Sequence, residues 1–133
     1  VTLSPAGGDG TFGEPQKLEG LCDLTAELFA GTCGTYRYHT SFELADNLAD
    51  TAIDLGDVYE TATLTLDGRP LGTRICPPYR FAAGPLTVGT HELTIDVINT
   101  LGHVIPDIFT LTEPIAPSGI LGPVTLCGQN LPK

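Results

Sequence analysis

Apolar and polar residues alternate along several short segments of this chain. Over residues 61–66 every second residue is apolar and the others are threonines, and the alternation returns over residues 91–99. A period of two is typical of a β-strand with one buried face. Asp67-Gly68 follows the first segment and can supply the positive φ angles of a tight turn. The pattern therefore predicts strands joined by a hairpin.

The longest alternating segment, residues 35–44, predicts a strand whose inner face carries Tyr36 and Tyr38. The leucines within residues 21–28 have helical spacing and predict one short helical turn. Sixteen glycines and eleven prolines interrupt the chain throughout, which favours many short strands over long helices. Further strands are predicted over residues 51–55, 71–75, 79–81, 108–111 and 122–126. The predicted fold class is all-β, a single β-sandwich or jelly roll.

The length of 133 residues fits one domain and is short for two. We therefore expect one β-sandwich domain over residues 1–133, with the glycine- and proline-rich residues 1–30 as an irregular lead-in. The chain contains no methionine and starts at Val1, from which we expect a processed product or a piece of a larger protein. No segment has the pattern of a signal peptide or the roughly 20 apolar residues of a membrane helix.

The chain is strongly acidic, with a net charge of −10 from 16 acidic and 6 basic residues. This charge argues against nucleic-acid and anionic-membrane partners, which need a basic surface. Solubility is the simplest reason for it. Calcium binding by the closely spaced Asp46, Asp50, Asp54 and Asp57 is the alternative, but these residues lack the D-x-D-x-D-G spacing of a calcium loop. We therefore predict no metal site and no cofactor.

The four cysteines leave their oxidation state open. Cys22, Cys33, Cys76 and Cys127 contain no Cys-x-x-Cys pair and stand apart from the three histidines, so a structural zinc site is not expected. Four cysteines allow three disulfide connectivities, of which Cys22–Cys33 would close a short loop and Cys76–Cys127 a long one. The alternative is that they are small buried hydrophobic residues.

Motifs that carry catalysis are missing from the sequence. It contains no Gly-x-Ser-x-Gly elbow, no phosphate loop and no His-Glu-x-x-His motif. Glu43 and Glu60 are candidates for the paired carboxylates of a glycosidase, but nothing in the sequence brings them together. We therefore predict no catalytic residue and no hydrolase activity for the chain by itself.

A set of motifs occurs in one order between residues 31 and 127, namely the segments 36–44, 53–58, 62–72, 77–81, 93–101 and 117–124. In this order they resemble the sugar-binding β-sandwich of family 2-type glycoside hydrolases, particularly the version in large bacterial rhamnosidase-like enzymes. The resemblance implies a galactose-binding-like jelly roll that accompanies a catalytic domain. Ala82 stands where the family usually has Asp, and Asp67 stands where its hairpin usually has Asn, which keeps the turn chemistry intact.

Sugar binding by such a domain depends on aromatic faces and convergent polar groups, and this chain has no tryptophan. Tyr36 and Tyr38 are expected in the core, so Tyr59 and Tyr79 are the better aromatic candidates. Arg80 is expected either to be paired and directed inward or, alternatively, to contact a ligand. Half of the six basic residues lie in the segment 67–81, and the candidate ligand-binding or docking residues are Asp67, Arg69, Arg74, Tyr79 and Arg80.

The sequence thus predicts a non-catalytic accessory β-sandwich module of a bacterial glycoside hydrolase. Its expected partner is the catalytic domain of a parent protein, with a possible contribution to carbohydrate binding and a secreted or periplasmic location for that parent. The alternative is an independent carbohydrate-binding module or an adhesin domain.

Overall fold

Most of the described residues of the chain lie in β-strands. The computed structural model describes residues 1–6, 10–27, 29, 31–100, 104–105, 108 and 115–131. Within these residues the chain forms eleven strands and one helical turn. They are β1 (Thr2–Pro5), β2 (Gln16–Lys17), α1 (Leu24–Glu27), β3 (Thr35–Leu44), β4 (Leu48–Asp54), β5 (Asp57–Tyr59), β6 (Thr61–Leu66), β7 (Arg69–Arg74), β8 (Arg80–Leu86), β9 (Gly89–Ile98), β10 (Gly119–Gly122) and β11 (Thr125–Asn130).

The strands pair antiparallel in three sheets. The large sheet has the order β2-β1-β3-β9-β6-β7, a smaller sheet has the order β11-β4-β8, and β10 pairs with β5. The all-β sandwich expected from the sequence is confirmed, and the short helical turn expected near residues 21–28 is α1. The finer jelly-roll assignment stays a prediction.

The core lies between the large sheet and the β11-β4-β8 sheet. Tyr38, Ile95 and Leu64 stand side by side across β3, β9 and β6, and all three are buried. Ile53 and Phe81 form a directly opposed pair on β4 and β8 and are buried as well. Burying each such apolar side chain contributes about 1.5–3 kcal/mol, so the alternating segments of the sequence are the main source of the fold's stability.

The expectation of an irregular lead-in over residues 1–30 was wrong for two short segments. Residues Thr2–Pro5 pair with residues 36–39 of β3, and Gln16–Lys17 pairs with β1 in turn. Leu3 is completely buried, which explains why this end of the chain is held on the sheet. Pro5 is at the end of its strand, where a missing N–H group costs little.

The strands near the C-terminal end of the chain also differ from those predicted. The expected strand over residues 122–126 is two strands in two different sheets, β10 and β11. Gly122 has a φ of 76° and Pro123 has no N–H group, so the chain leaves one sheet here before it enters the next. The expected strand at residues 108–111 lies outside the described residues except for Ile108, which is in an exposed turn.

Candidate functional site

The best candidate for a functional surface is the side of the sandwich where β7 meets β8. β7 is the last strand of the large sheet and β8 is the last strand of the smaller one, and the two strands contact each other. Arg69, Arg74 and Arg80 lie on these two strands and are exposed, and Ile75 between them is 76% exposed. We call these four residues the arginine edge.

Two of the arginines connect the two sheets. Arg69 Nη2 donates to the carbonyl oxygen of Ala83 on β8 at 2.6 Å. Arg74 Nε donates to the carbonyl oxygen of Arg80 at 3.3 Å, and its guanidinium carbon lies 5.5 Å from the centre of the Phe81 ring. All three arginines are exposed, so the arginine edge presents positive charge on an acidic protein.

Asp67 fixes the hairpin that leads into the arginine edge. Its φ is 50°, as a tight turn requires. Its carboxylate accepts hydrogen bonds from the backbone N–H of Glu92 at 2.8 Å and from His91 Nδ1 at 2.7 Å. Asp67 is therefore a structural residue of the turn, held against β9, and only part of its side chain remains exposed.

His91 lies between two acceptors. Its Nδ1 faces the Asp67 carboxylate, and its Nε2 is 2.8 Å from the carbonyl oxygen of Thr87. Both nitrogens must donate to satisfy these partners, so the geometry selects the protonated imidazolium. The hydrogen bond to Asp67 and the Thr87 carbonyl raise the pKa of His91, and the hydrogen bonds from His91 and from the Glu92 N–H lower the pKa of Asp67.

These two pKa shifts predict a bell-shaped dependence of stability on pH. The His91 contribution is complete below its ordinary pKa of 6.5 and is lost as the pH rises through the raised value. The Asp67 contribution is present above its ordinary 3.8 and is lost as the pH falls through the lowered value. We therefore expect the urea midpoint of unfolding to fall as the pH rises above about 6.5, and His91→Gln to remove this fall.

His39 provides a matched control for this titration. Its side chain is exposed, and its Nδ1 is 3.2 Å from the Thr94 hydroxyl rather than from a carboxylate. His39→Gln should therefore keep the wild-type pH profile. A profile of the His91→Gln variant that parallels the wild type would exclude the His91–Asp67 pair as its cause.

Tyr79 is buried and Arg80 is exposed. Tyr79 is 5% exposed, and its hydroxyl donates to the carbonyl oxygen of Glu60. Arg80 is exposed, which excludes the inward, paired alternative for this residue, whereas contact with a ligand stays a prediction. Neighbouring strand residues point to opposite faces, and the inward position at the start of β8 belongs to Phe81. Tyr79 thus anchors the loop before β8 and offers no open ring face for stacking on a sugar.

The sequence interpretation missed the role of His91. A signal for it was present, since His91 is in phase with the apolar inner residues Leu93, Ile95 and Val97. A histidine on an inner face needs partners for both ring nitrogens. Asp67 was predicted as a turn residue and as a candidate docking residue but not as the partner of His91, because a hairpin pattern does not show what lies across the sheet.

Glu43 and Glu60 lie at opposite ends of the large sheet. Glu43 is opposite Thr90 on β9, whereas the Glu60 N–H donates to the carbonyl oxygen of Ile98 at the far end of that strand. Thr90 and Ile98, the β9 residues that neighbour the two glutamates, are about 25 Å apart at about 3.3 Å per residue. Glycosidase carboxylates stand roughly 5–10 Å apart, so these two do not form such a pair.

The other chemistry considered from the sequence was metal binding and disulfide formation. The described part of the chain contains no group of three or more His, Cys, Asp or Glu residues placed to hold a metal ion. No disulfide joins Cys22, Cys33, Cys76 and Cys127, all of which are described. None of the described helical residues belongs to a helix long and apolar enough to cross a membrane.

Solved structures share this fold. The chain is similar to part of a rhamnosidase from Novosphingobium sp. PP1Y, with a TM-score of 0.76 and 23% identity over 94% of this chain and 14% of that chain. It is also similar to part of a GH2 β-galacturonidase from Eisenbergiella tayi bound to galacturonate, with a TM-score of 0.66 and 21% identity over 94% of this chain and 22% of that one.

A β-glucuronidase from Bifidobacterium dentium matches 73% of this chain and 18% of its own, with a TM-score of 0.53 and 19% identity. No protein-family model and no curated protein sequence matches the chain. At these identities the likeness establishes the fold. The chain spans about a fifth or less of the length of these glycosidases.

Proposed function

We propose that this chain is a non-catalytic accessory β-sandwich of a bacterial glycoside hydrolase, and that it packs against the catalytic domain of its parent protein through the arginine edge. The observation that carries the proposal is the unequal coverage in the structural matches. Nearly the whole chain is matched, but only a small part of each glycosidase is. The separation of Glu43 and Glu60 supports a role other than catalysis.

The arginine edge supports docking because it combines positive charge with an exposed aliphatic side chain. Arg69, Arg74 and Arg80 are three of the six basic residues in a chain of net charge −10. Ile75, which directly follows Arg74 at the end of β7, adds exposed apolar surface. A partner surface with carboxylates around an apolar patch would complement it, and such charges add mainly to specificity and association rate.

Removing the two connecting arginines tests the docking role. We expect Arg69→Ala with Arg74→Ala to impair activity or assembly of the full-length parent enzyme. The isolated chain should lose only about 1 kcal/mol of unfolding free energy, because exposed arginines that bond to backbone carbonyls contribute little. The measurements are turnover by the parent enzyme and urea unfolding of the isolated chain.

Lys17 supplies the matched control, since it is an exposed base on β2 at the opposite edge of the same sheet. Lys17→Ala should leave both turnover and stability unchanged. Arg80→Ala should have only a small effect on stability because Arg80 is exposed. Wild-type turnover in the Arg69/Arg74 double variant would show that the arginine edge has no docking role.

Carbohydrate binding by the isolated chain is proposed to be weak. Among the described residues every Phe and Tyr side chain is buried or partly buried, so none of them is a fully exposed surface for stacking on a sugar. We expect dissociation constants of about 1 mM or weaker, equivalent to about −4 kcal/mol. NMR titration with galactose, rhamnose and galacturonate would measure them, with galacturonate the strongest because its carboxylate can pair with the arginine edge.

The independent carbohydrate-binding module or adhesin domain is the second candidate function. Micromolar binding of one of these sugars, lost in the Arg69/Arg74 double variant, would favour it over the accessory role.

A further inference from the structure

An apolar groove opens on the side of the sandwich away from the arginine edge, where β3 faces β11. Its volume is about 420 Å³. The lining is mostly apolar and includes Val1, Tyr38, Phe42, Leu44, Ile53 and Leu126. Phe42, Leu44 and Leu126 are only partly buried although they belong to the inner faces of the two sheets. The groove is therefore a part of the core that the described residues leave uncovered.

The edge of β3 above this groove is also incomplete. β9 pairs with all of β3, from Thr35 to Leu44. On its other side β3 pairs with β1, and that pairing reaches only from residue 36 to His39. Within the described part of the chain, residues 40–44 of β3 therefore have a strand on one side only. Unpaired strand edges of this kind accept a further strand.

We propose that an extended segment immediately upstream of Val1, in a longer form of the chain, continues β1 along residues 40–44 of β3 and closes the groove. The inference rests on the proposed function, in which this domain is part of a larger protein. The direction of the segment is set by the pairs Thr2–His39 and Leu3–Tyr38. Val1 is held in this line by its carbonyl oxygen, which accepts from the Leu18 N–H at 2.9 Å.

The register determines which upstream residues face the groove. Each step back along β1 corresponds to one step forward along β3, so the residue two before Val1 lies opposite Phe42 and the residue four before Val1 lies opposite Leu44. Val1 lines the groove and Leu3 is buried, so alternate positions face inward. The two inward residues must therefore be apolar.

The outward positions have a different chemistry. The residues one and three before Val1 lie opposite Ser41 and Glu43, both of which are exposed. A polar residue suits the first position, and a lysine or arginine suits the second because opposite charges across a strand pair are favourable. Backbone N–H and C=O groups of residues 40–44 that face away from β9 would gain hydrogen-bond partners from the same segment.

Hydrogen exchange in two forms of the protein tests the proposal. One is the 133-residue chain, and the other carries about eight of the parent's own residues before Val1, the length of an ordinary strand. In the longer form we expect backbone amides within residues 40–44 to exchange at least about tenfold more slowly. We also expect the longer form to lose binding of the neutral apolar dye Nile red, since the groove is closed.

Substitutions in the upstream segment sharpen this test without disturbing the described fold. Aspartate at the position two before Val1 should restore fast exchange and dye binding, whereas aspartate one before Val1 should not.

Unchanged exchange in the longer form, or a parent chain that starts at Val1, would overturn the proposal. So would a concentration-dependent dimer of the 133-residue chain that protects residues 40–44, because the occupant would then be a second copy. Failure of the arginine-edge variants to affect the parent enzyme is a separate result, which would contradict the docking role alone.

Discussion

Replacing Gly56 by alanine is expected to prevent stable folding of this chain. Gly56 has a φ of 67° and forms a bridge with Gly122, directly before β5, the strand that pairs with β10. A Cβ atom at this position would lie 2.6 Å from the carbonyl carbon and oxygen of Gly122 and 2.7 Å from the carbonyl oxygen of Pro123. These are backbone atoms, which cannot rotate away as a side chain would.

The expected loss is therefore larger than that of an ordinary glycine substitution. The left-handed conformation alone costs about 1–2 kcal/mol for a residue with a Cβ, and the overlap adds to it. We expect a total of about 4 kcal/mol or more, comparable with the whole stability of a small domain. Far-ultraviolet circular dichroism and urea unfolding would show it.

Gly68 separates the two contributions, since its φ is 75° but a Cβ atom there would meet no other atom within 4 Å. Gly68→Ala should therefore cost only about 1–2 kcal/mol and leave a cooperative unfolding transition. Equal midpoints for the Gly56→Ala and Gly68→Ala variants would show that the contact with the 122–123 backbone is not tight.

Replacing Asn99 by alanine is expected to cost about 3 kcal/mol of unfolding free energy. Asn99 is buried at the end of β9, and its amide joins three chain segments. Its Oδ1 accepts from the Gly34 N–H at 2.8 Å, and its Nδ2 donates to the Thr32 carbonyl oxygen and to the Ser118 hydroxyl, each at 3.0 Å. Removal of the amide takes this partner from the Ser118 hydroxyl, which is completely buried, and leaving a buried polar group unpaired costs more than the hydrogen bond itself contributes.

Asn47 is the matched control for this substitution. It is exposed, and its Oδ1 accepts a hydrogen bond from the Val88 N–H at 2.7 Å. Water can replace that bond, so Asn47→Ala should cost no more than about 1 kcal/mol. Urea midpoints measured on the same day would compare the two variants, and a similar loss in both would mean that burial of Asn99 adds nothing.

The candidate site shows where sequence interpretation succeeds and where it fails. The turn at Asp67 could be predicted because Asp-Gly between alternating segments has a local conformational preference. The placement of Arg80 could not, since an arginine next to a buried aromatic residue is compatible with either face until the strand's phase is known. The pairing of Asp67 with His91 joins residues 24 positions apart, and no local pattern reports such a contact.

The amino-acid sequence by itself determined the strands β3, β6 and β9, because alternation of apolar and polar side chains depends on neighbouring residues and the period of an extended chain. It also determined the all-β class through the same alternation and the many glycine and proline turns. Only the tertiary structure decided that residues 2–5 join the large sheet, that the tail divides between two sheets, and that Tyr79 rather than Arg80 points inward. Each of these outcomes depends on which distant segment packs against the residue, and strand pairing across a sheet leaves little trace in either segment alone.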